Sequence, residues 1–110
     1  MVASIWRTRD RLGRAVEFTA EAWDQSVLER TGEPPTIAAI RSAVESPDLV
    51  TADADFPRRE CHYRWKSTAP LRLKVVVRSF PLPPSGTWVD EVVTAYSDRN
   101  AKPQEAPLWP

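Results

Sequence analysis

Two runs decide the fold: Glu60-Cys61-His62-Tyr63-Arg64-Trp65-Lys66 and Leu71-Arg72-Leu73-Lys74-Val75-Val76-Val77-Arg78. Both place cations on alternate residues, and Val76 is the one gap in the second pattern. Successive side chains of a β-strand point to opposite faces. Cys61, Tyr63, Trp65, Leu71, Leu73, Val75 and Val77 therefore form one set, and His62, Arg64, Lys66, Arg72, Lys74 and Arg78 the other. Ser67-Thr68-Ala69-Pro70 joins the runs as a turn. Directly opposed residues of an antiparallel pair share a side, so both cationic sets share one face only if opposed numbers sum to an even value. The expected register sets Trp65 against Leu71 and Arg64 against Arg72, because a one-residue slip would bury half the charges. Such a hairpin packs on its apolar side and offers a polyanion, RNA above all, its cationic one.

Working outward, Ser4–Arg7 and Ala15–Phe18 read as short strands, a hairpin turning near Asp10–Gly13. Thr19 is an N-cap, Glu21 favours a first helical turn, and Ala22, Trp23 and Val27 keep helical spacing up to Gly32. Thr36 caps a second helix from Ile37 to about Glu45, with Ile37, Ala39, Ile40 and Val44 inward, and Pro47 ends it. Leu49–Thr51 is a strand, and Trp88–Tyr96 is the last one, with Val92, Thr94 and Tyr96 on one side and Glu91, Val93 and Ala95 on the other. The Asp53/Asp55 pair reads as turn chemistry rather than a metal site. Tyr63, Trp65 and Trp23 read as core, and His62 as a surface residue. The predicted fold is α+β: two N-terminal helices followed by a roughly four-stranded antiparallel sheet, in one domain spanning 1–110. Residues 1–14 add an N-terminal strand or hairpin, and 97–110 form an irregular tail docked through Trp109.

Bulk properties narrow the function classes. Net charge is zero, but residues 1–60 hold eight cations and eleven acids while 61–110 hold seven cations and four acids. Long-range steering is therefore weak, and a local cationic groove is compatible with the balance. One cysteine and one histidine exclude an internal disulfide and the usual zinc motifs, so no metal or cofactor is expected. No stretch has membrane length, which makes a soluble cytoplasmic protein the default. Nothing in the pattern specifies an oligomeric state.

The order of Ala15-Val-Glu-Phe-Thr-Ala-Glu-Ala-Trp23, Ile40-Arg-Ser-Ala-Val-Glu-Ser-Pro-Asp-Leu-Val50, Tyr63-Arg64, Leu73-Lys-Val-Val-Val-Arg78, Val92-Val-Thr-Ala-Tyr96 and Leu108-Trp-Pro110 resembles the phage-type members of the barnase–EndoU–colicin–RelE nuclease group. The resemblance runs from Ala15 to the end. It implies a small metal-independent endoribonuclease, of a kind often found as a toxin or mobile-element effector. It also implies site roles for Arg64, Lys74, Thr94 and Tyr96. RNA would be held by Arg30, Arg59, His62, Lys66, Arg72, Arg78 and Arg99, with Trp109 capping the site. Relatives often carry histidines after the tryptophan, where this chain has Gln25 and Arg30.

RNA cleavage by the 2′-hydroxyl needs a base, an acid and cations for the charge developing on phosphorus. Lys74, its pKa lowered by flanking cations, is the expected acid or base, and Arg64 the phosphate clamp. Thr94 and Tyr96 would donate hydrogen bonds. Two other readings stay open: a non-catalytic RNA-binding module, and a groove that docks an acidic antitoxin or immunity-type protein. A plain solvated strand face would explain Lys74 and Arg78 as well.

Overall fold

The computed structural model describes residues 3–30, 34–53, 55–65, 72–79, 89–98 and 107–109. Strand β1 (Ser4–Arg9) pairs antiparallel with β2 (Ala15–Thr19). The turn between them is held by Asp10, whose Oδ1 accepts from the backbone N–H groups of Leu12 and Arg14, and Gly13 takes φ +84°. Thr19 caps α1 (Ala20–Ala22), which continues as a π-helical turn over Trp23–Val27. Helix α2 (Ile37–Glu45) begins at Thr36, whose hydroxyl accepts from the Ala39 N–H. Strands β3 (Leu49–Ala52), β4 (Arg59–Trp65), β5 (Arg72–Arg78), β6 (Asp90–Asp98) and β7 (Pro107–Trp109) follow.

Among the described residues, the seven strands join one sheet in the order β1-β2-β6-β5-β4-β3-β7, antiparallel throughout except for the parallel β2–β6 pair. The predicted fold is corrected on this point. The N-terminal hairpin precedes the helices and extends the sheet, which is mixed and seven-stranded rather than four-stranded and antiparallel, and the first helix is short. The hairpin joins because Val16 and Phe18, alternating on β2, are fully buried in the main core with Val92 and Ala95 of β6 and Val75 and Val77 of β5. Helix α2 covers this face through Ile40, Ala43 and Val44, and Trp23 packs against the same core.

The β4–β5 register is also corrected. Arg64 opposes Leu73, Tyr63 opposes Lys74 and Trp65 opposes Arg72, so the sums are odd. Cys61, Tyr63 and Trp65 therefore share a side with Arg72, Lys74, Val76 and Arg78. Arg64 and His62 lie on the α2 side with Leu73, Val75 and Val77. The physical reason is the gap at Val76. It opposes Cys61 and forms with it and Tyr63 a second apolar cluster, against which Leu49 and Val93 pack. Val75-Val76-Val77 is thus a strand buried on both faces, so the assumption of one apolar face fails. Slippage did not bury the charge of Arg64. Placed near the strand end, it remains exposed and donates to the Ser46 carbonyl beyond α2.

A further irregularity sits between Val76 and Val77: Val76 opposes Thr94, but Val77 opposes Val92. This bulge separates Val92, which joins the main core, from Thr94 and Tyr96 on the opposite face. The expected grouping of Val92 with Thr94 and Tyr96 does not hold.

Candidate nucleic-acid interface

On the face opposite α2, the β5–β6 register sets Lys74 directly against Tyr96 and Val76 against Thr94. Arg30, just beyond the π-helical turn, reaches the same spot because that segment packs along β6. Its Nε donates to Thr94 Oγ1 at 2.9 Å, and its guanidinium carbon lies 4.0 Å from the Tyr96 ring centroid. The Lys74 ammonium lies 5.7 Å from the ring centroids of both Tyr96 and Tyr63. Lys74 is 2% exposed, whereas Arg30 is exposed and Tyr96 half-buried. Two cations of different accessibility therefore flank one phenol ring beside a buried threonine hydroxyl.

Two more guanidinium–aromatic stacks occur in the strand region. Arg72 lies over Trp65 at 4.6 Å, and Arg59 over Phe56 at 4.3 Å. Trp65 is 47% and Phe56 52% exposed. Trp65 was expected in the core, and the odd register moves it out to the rim beside Arg72. Arg78 shares the face and is paired with Glu91 at 3.2 Å. Phe56 is a residue the sequence reading missed. Its signal was the single large apolar side chain in the polar stretch before Arg58-Arg59. Asp53 Oδ1 accepts from the N–H groups of Asp55 and Phe56, which is turn chemistry.

Four sites named from sequence thus converge: Lys74, Thr94, Tyr96 and Arg30. Arg59, Arg72 and Arg78 lie on the same face around them. Arg64 does not join them, as it lies on the α2 side. His62 is corrected from surface residue to buried one, at 1% exposure. It faces the α2 side opposite Val50 and Val75, and among the described residues its ring nitrogens have no hydrogen-bond partner. Its Nε2 stands 3.5 Å from Glu60, which in turn receives Arg14 at 2.7 Å. Burial by itself would raise the Glu60 carboxyl, but His62 and the Arg14 guanidinium outweigh it and hold its pKa at about 2. This pair ties the N-terminal hairpin to β4 and has a structural role. Lys66 and Arg99 lie outside the described residues, and of Trp109 only the backbone is described, paired with Val50 of β3.

Among the described residues, no group of three or more potential metal ligands occurs, and no helix is long and apolar enough to cross a membrane. No protein-family model, curated protein or solved structure matches the chain.

Proposed function

We propose that this chain is a ribonuclease-like domain that takes RNA on the sheet face opposite α2. The carrying observation is the convergence of Arg30, Thr94, Tyr96 and Lys74 from three separate parts of the sequence. Arg30 is the exposed cation and meets a phosphate directly. Lys74, buried with its ammonium 5.7 Å from the Tyr96 ring, adds positive charge in a low-dielectric setting where it acts strongly on a nearby anion. In the reaction the 2′-oxygen attacks phosphorus as its proton passes to water, the bond from phosphorus to the 5′-oxygen breaks, and water returns a proton to that oxygen. The products are a 2′,3′-cyclic phosphate and a free 5′-hydroxyl. Arg30 and Lys74 oppose the charge growing on phosphorus, and Thr94 and Tyr96 contribute hydroxyls that orient it. The order of motifs resembling the barnase–EndoU–colicin–RelE nuclease group supports the same activity.

A second reading, an RNA-binding module without cleavage, is favoured by His62. The chain's one imidazole is buried on the other side of the sheet and cannot serve this site. Incubation of purified protein with total RNA in excess chelator, followed on a denaturing gel, separates the two. Cleavage should be lost in Arg30→Ala and Lys74→Met and strongly slowed in Tyr96→Phe. Intact RNA with folded, RNA-binding wild-type protein overturns the nuclease and leaves the binding module. Absence of both cleavage and RNA affinity overturns both readings.

A further inference from the structure

The corner where β4 ends and β5 begins holds features the phosphate cluster does not use. Trp65 is nearly half exposed, an unusual placement for the largest side chain of a strand that is otherwise buried at its centre. The Arg72 guanidinium lies over the ring, and the Tyr63 ring is tilted against it with centroids 6.3 Å apart. The strand end itself is fixed, because the Trp65 backbone N–H donates to Asp48 Oδ2 at 2.7 Å. Beside it opens a cavity of about 230 Å³, lined by Ala39, Ser42, Arg64, Trp65 and Leu73. The lining is mainly apolar with one guanidinium; Ala39, Ser42, Arg64 and Leu73 belong to the α2 side, and Trp65, at the end of β4, lines it from the other face.

We infer that this corner is a subsite for an unpaired nucleobase of the RNA, an inference that rests on the RNA reading above. A flat aromatic face, an adjoining apolar cavity and two guanidiniums together match a base with its flanking phosphates. Base–aromatic stacking is indifferent to sequence because every base has a π-face. It does require a base that is not already stacked and paired in a helix, so the subsite selects single-stranded or looped RNA over duplex. The sheet sets the path. Strands lie about 4.8 Å apart and side chains recur on one face about every 7 Å, so Trp65 on β4 is on the order of 12 Å from Tyr96 on β6. A strand whose phosphate rests on Arg30 reaches Trp65 within a short run of nucleotides, passing Arg72. Arg64, turned away from the phosphate cluster by the register, regains an RNA contact here.

The test measures binding of a short fluorescein-labelled single-stranded RNA and of the duplex of the same sequence by fluorescence anisotropy. Wild type is compared with Trp65→Ala, Trp65→Phe, Ser42→Leu and Arg30→Ala, each checked for folding by its thermal melt. Trp65 and Ser42 are exposed, so these replacements leave the core intact. Wild type should prefer the single strand. Trp65→Ala, which removes the platform, and Ser42→Leu, which fills the cavity mouth, should weaken single-strand binding by about tenfold and leave duplex binding unchanged. Trp65→Phe should keep most of the preference. Equal binding of single strand and duplex by wild type, or full preference in both Trp65→Ala and Ser42→Leu, overturns the subsite. If Arg30→Ala weakens both RNA forms while Trp65→Ala changes neither, the RNA reading stands and the subsite alone falls. No RNA affinity in the wild type removes both.

Discussion

Replacing Arg30 with alanine tests the phosphate cluster through its salt dependence. The guanidinium is exposed, hydrogen-bonded to Thr94 at 2.9 Å and stacked 4.0 Å over Tyr96. Loss of a stack at an exposed site costs about 0.5–1 kcal/mol and loss of the Thr94 hydrogen bond about 1 kcal/mol more, so the fold should lose about 2 kcal/mol in a denaturant titration. RNA binding should change in a different and more specific way. Each phosphate neutralised on a single strand contributes about −0.7 to the slope of log affinity against log salt. Among the described residues, Arg30, Arg59 and Arg72 are the guanidiniums on this face that stack on aromatic rings. If these three alone meet phosphates the slope is about −2, and whatever the total, Arg30→Ala should make it shallower by about 0.7. The assay is anisotropy of a labelled single-stranded RNA across a salt series. A slope unchanged by the substitution would refute the reasoning, since Arg30 would then make no phosphate contact. A stability loss above about 3 kcal/mol would also refute it, because it would make Arg30 a structural residue rather than an exposed one.

Glu60 sets the acid limit of the fold. Its pKa is depressed from 4.5 to about 2, so its contribution is complete above pH 4.5 and disappears as pH falls through that window toward 2. At about 1.4 kcal/mol per unit the contribution is on the order of 3 kcal/mol. Glu60→Gln should lose that amount at neutral pH and show a flatter acid limb, and denaturant titrations at several pH values check both. Gly13 tests the hairpin turn. A Cβ there meets nothing within 4 Å, but φ is +84°, so Gly13→Ala should cost about 1 kcal/mol from backbone strain alone. A much larger loss in the thermal melt would point to a clash that the open surroundings exclude.

Local chemistry was legible from the chain alone wherever neighbours in sequence decide it. Thr19 and Thr36 cap their helices because a hydroxyl reaches the N–H three residues on. Gly13 and Asp10 make the turn, and Pro47 follows the end of α2, for equally local reasons. The alternating runs over Glu60–Arg78 specify strands, whereas the grouping of Lys74, Thr94, Tyr96 and Arg30 is a matter of how those strands pair. Periodicity gives which residues alternate but not how one strand slides on the next. That choice belonged to the whole sheet. Val76 needed Cys61 and Tyr63 beside it, and two-sided burial of β5 favoured the odd register over keeping every cation on one face. The register turned Arg64 toward α2 and exposed Trp65. The bulge at Val76/Val77 then sorted Val92 from Thr94, and the parallel pairing of β2 with β6 enlarged the sheet. Each of these is set by how separate strands meet, whether consecutive like β4, β5 and β6 or distant like β2 and β6, because only their pairing buries apolar surface that no single segment can bury by itself.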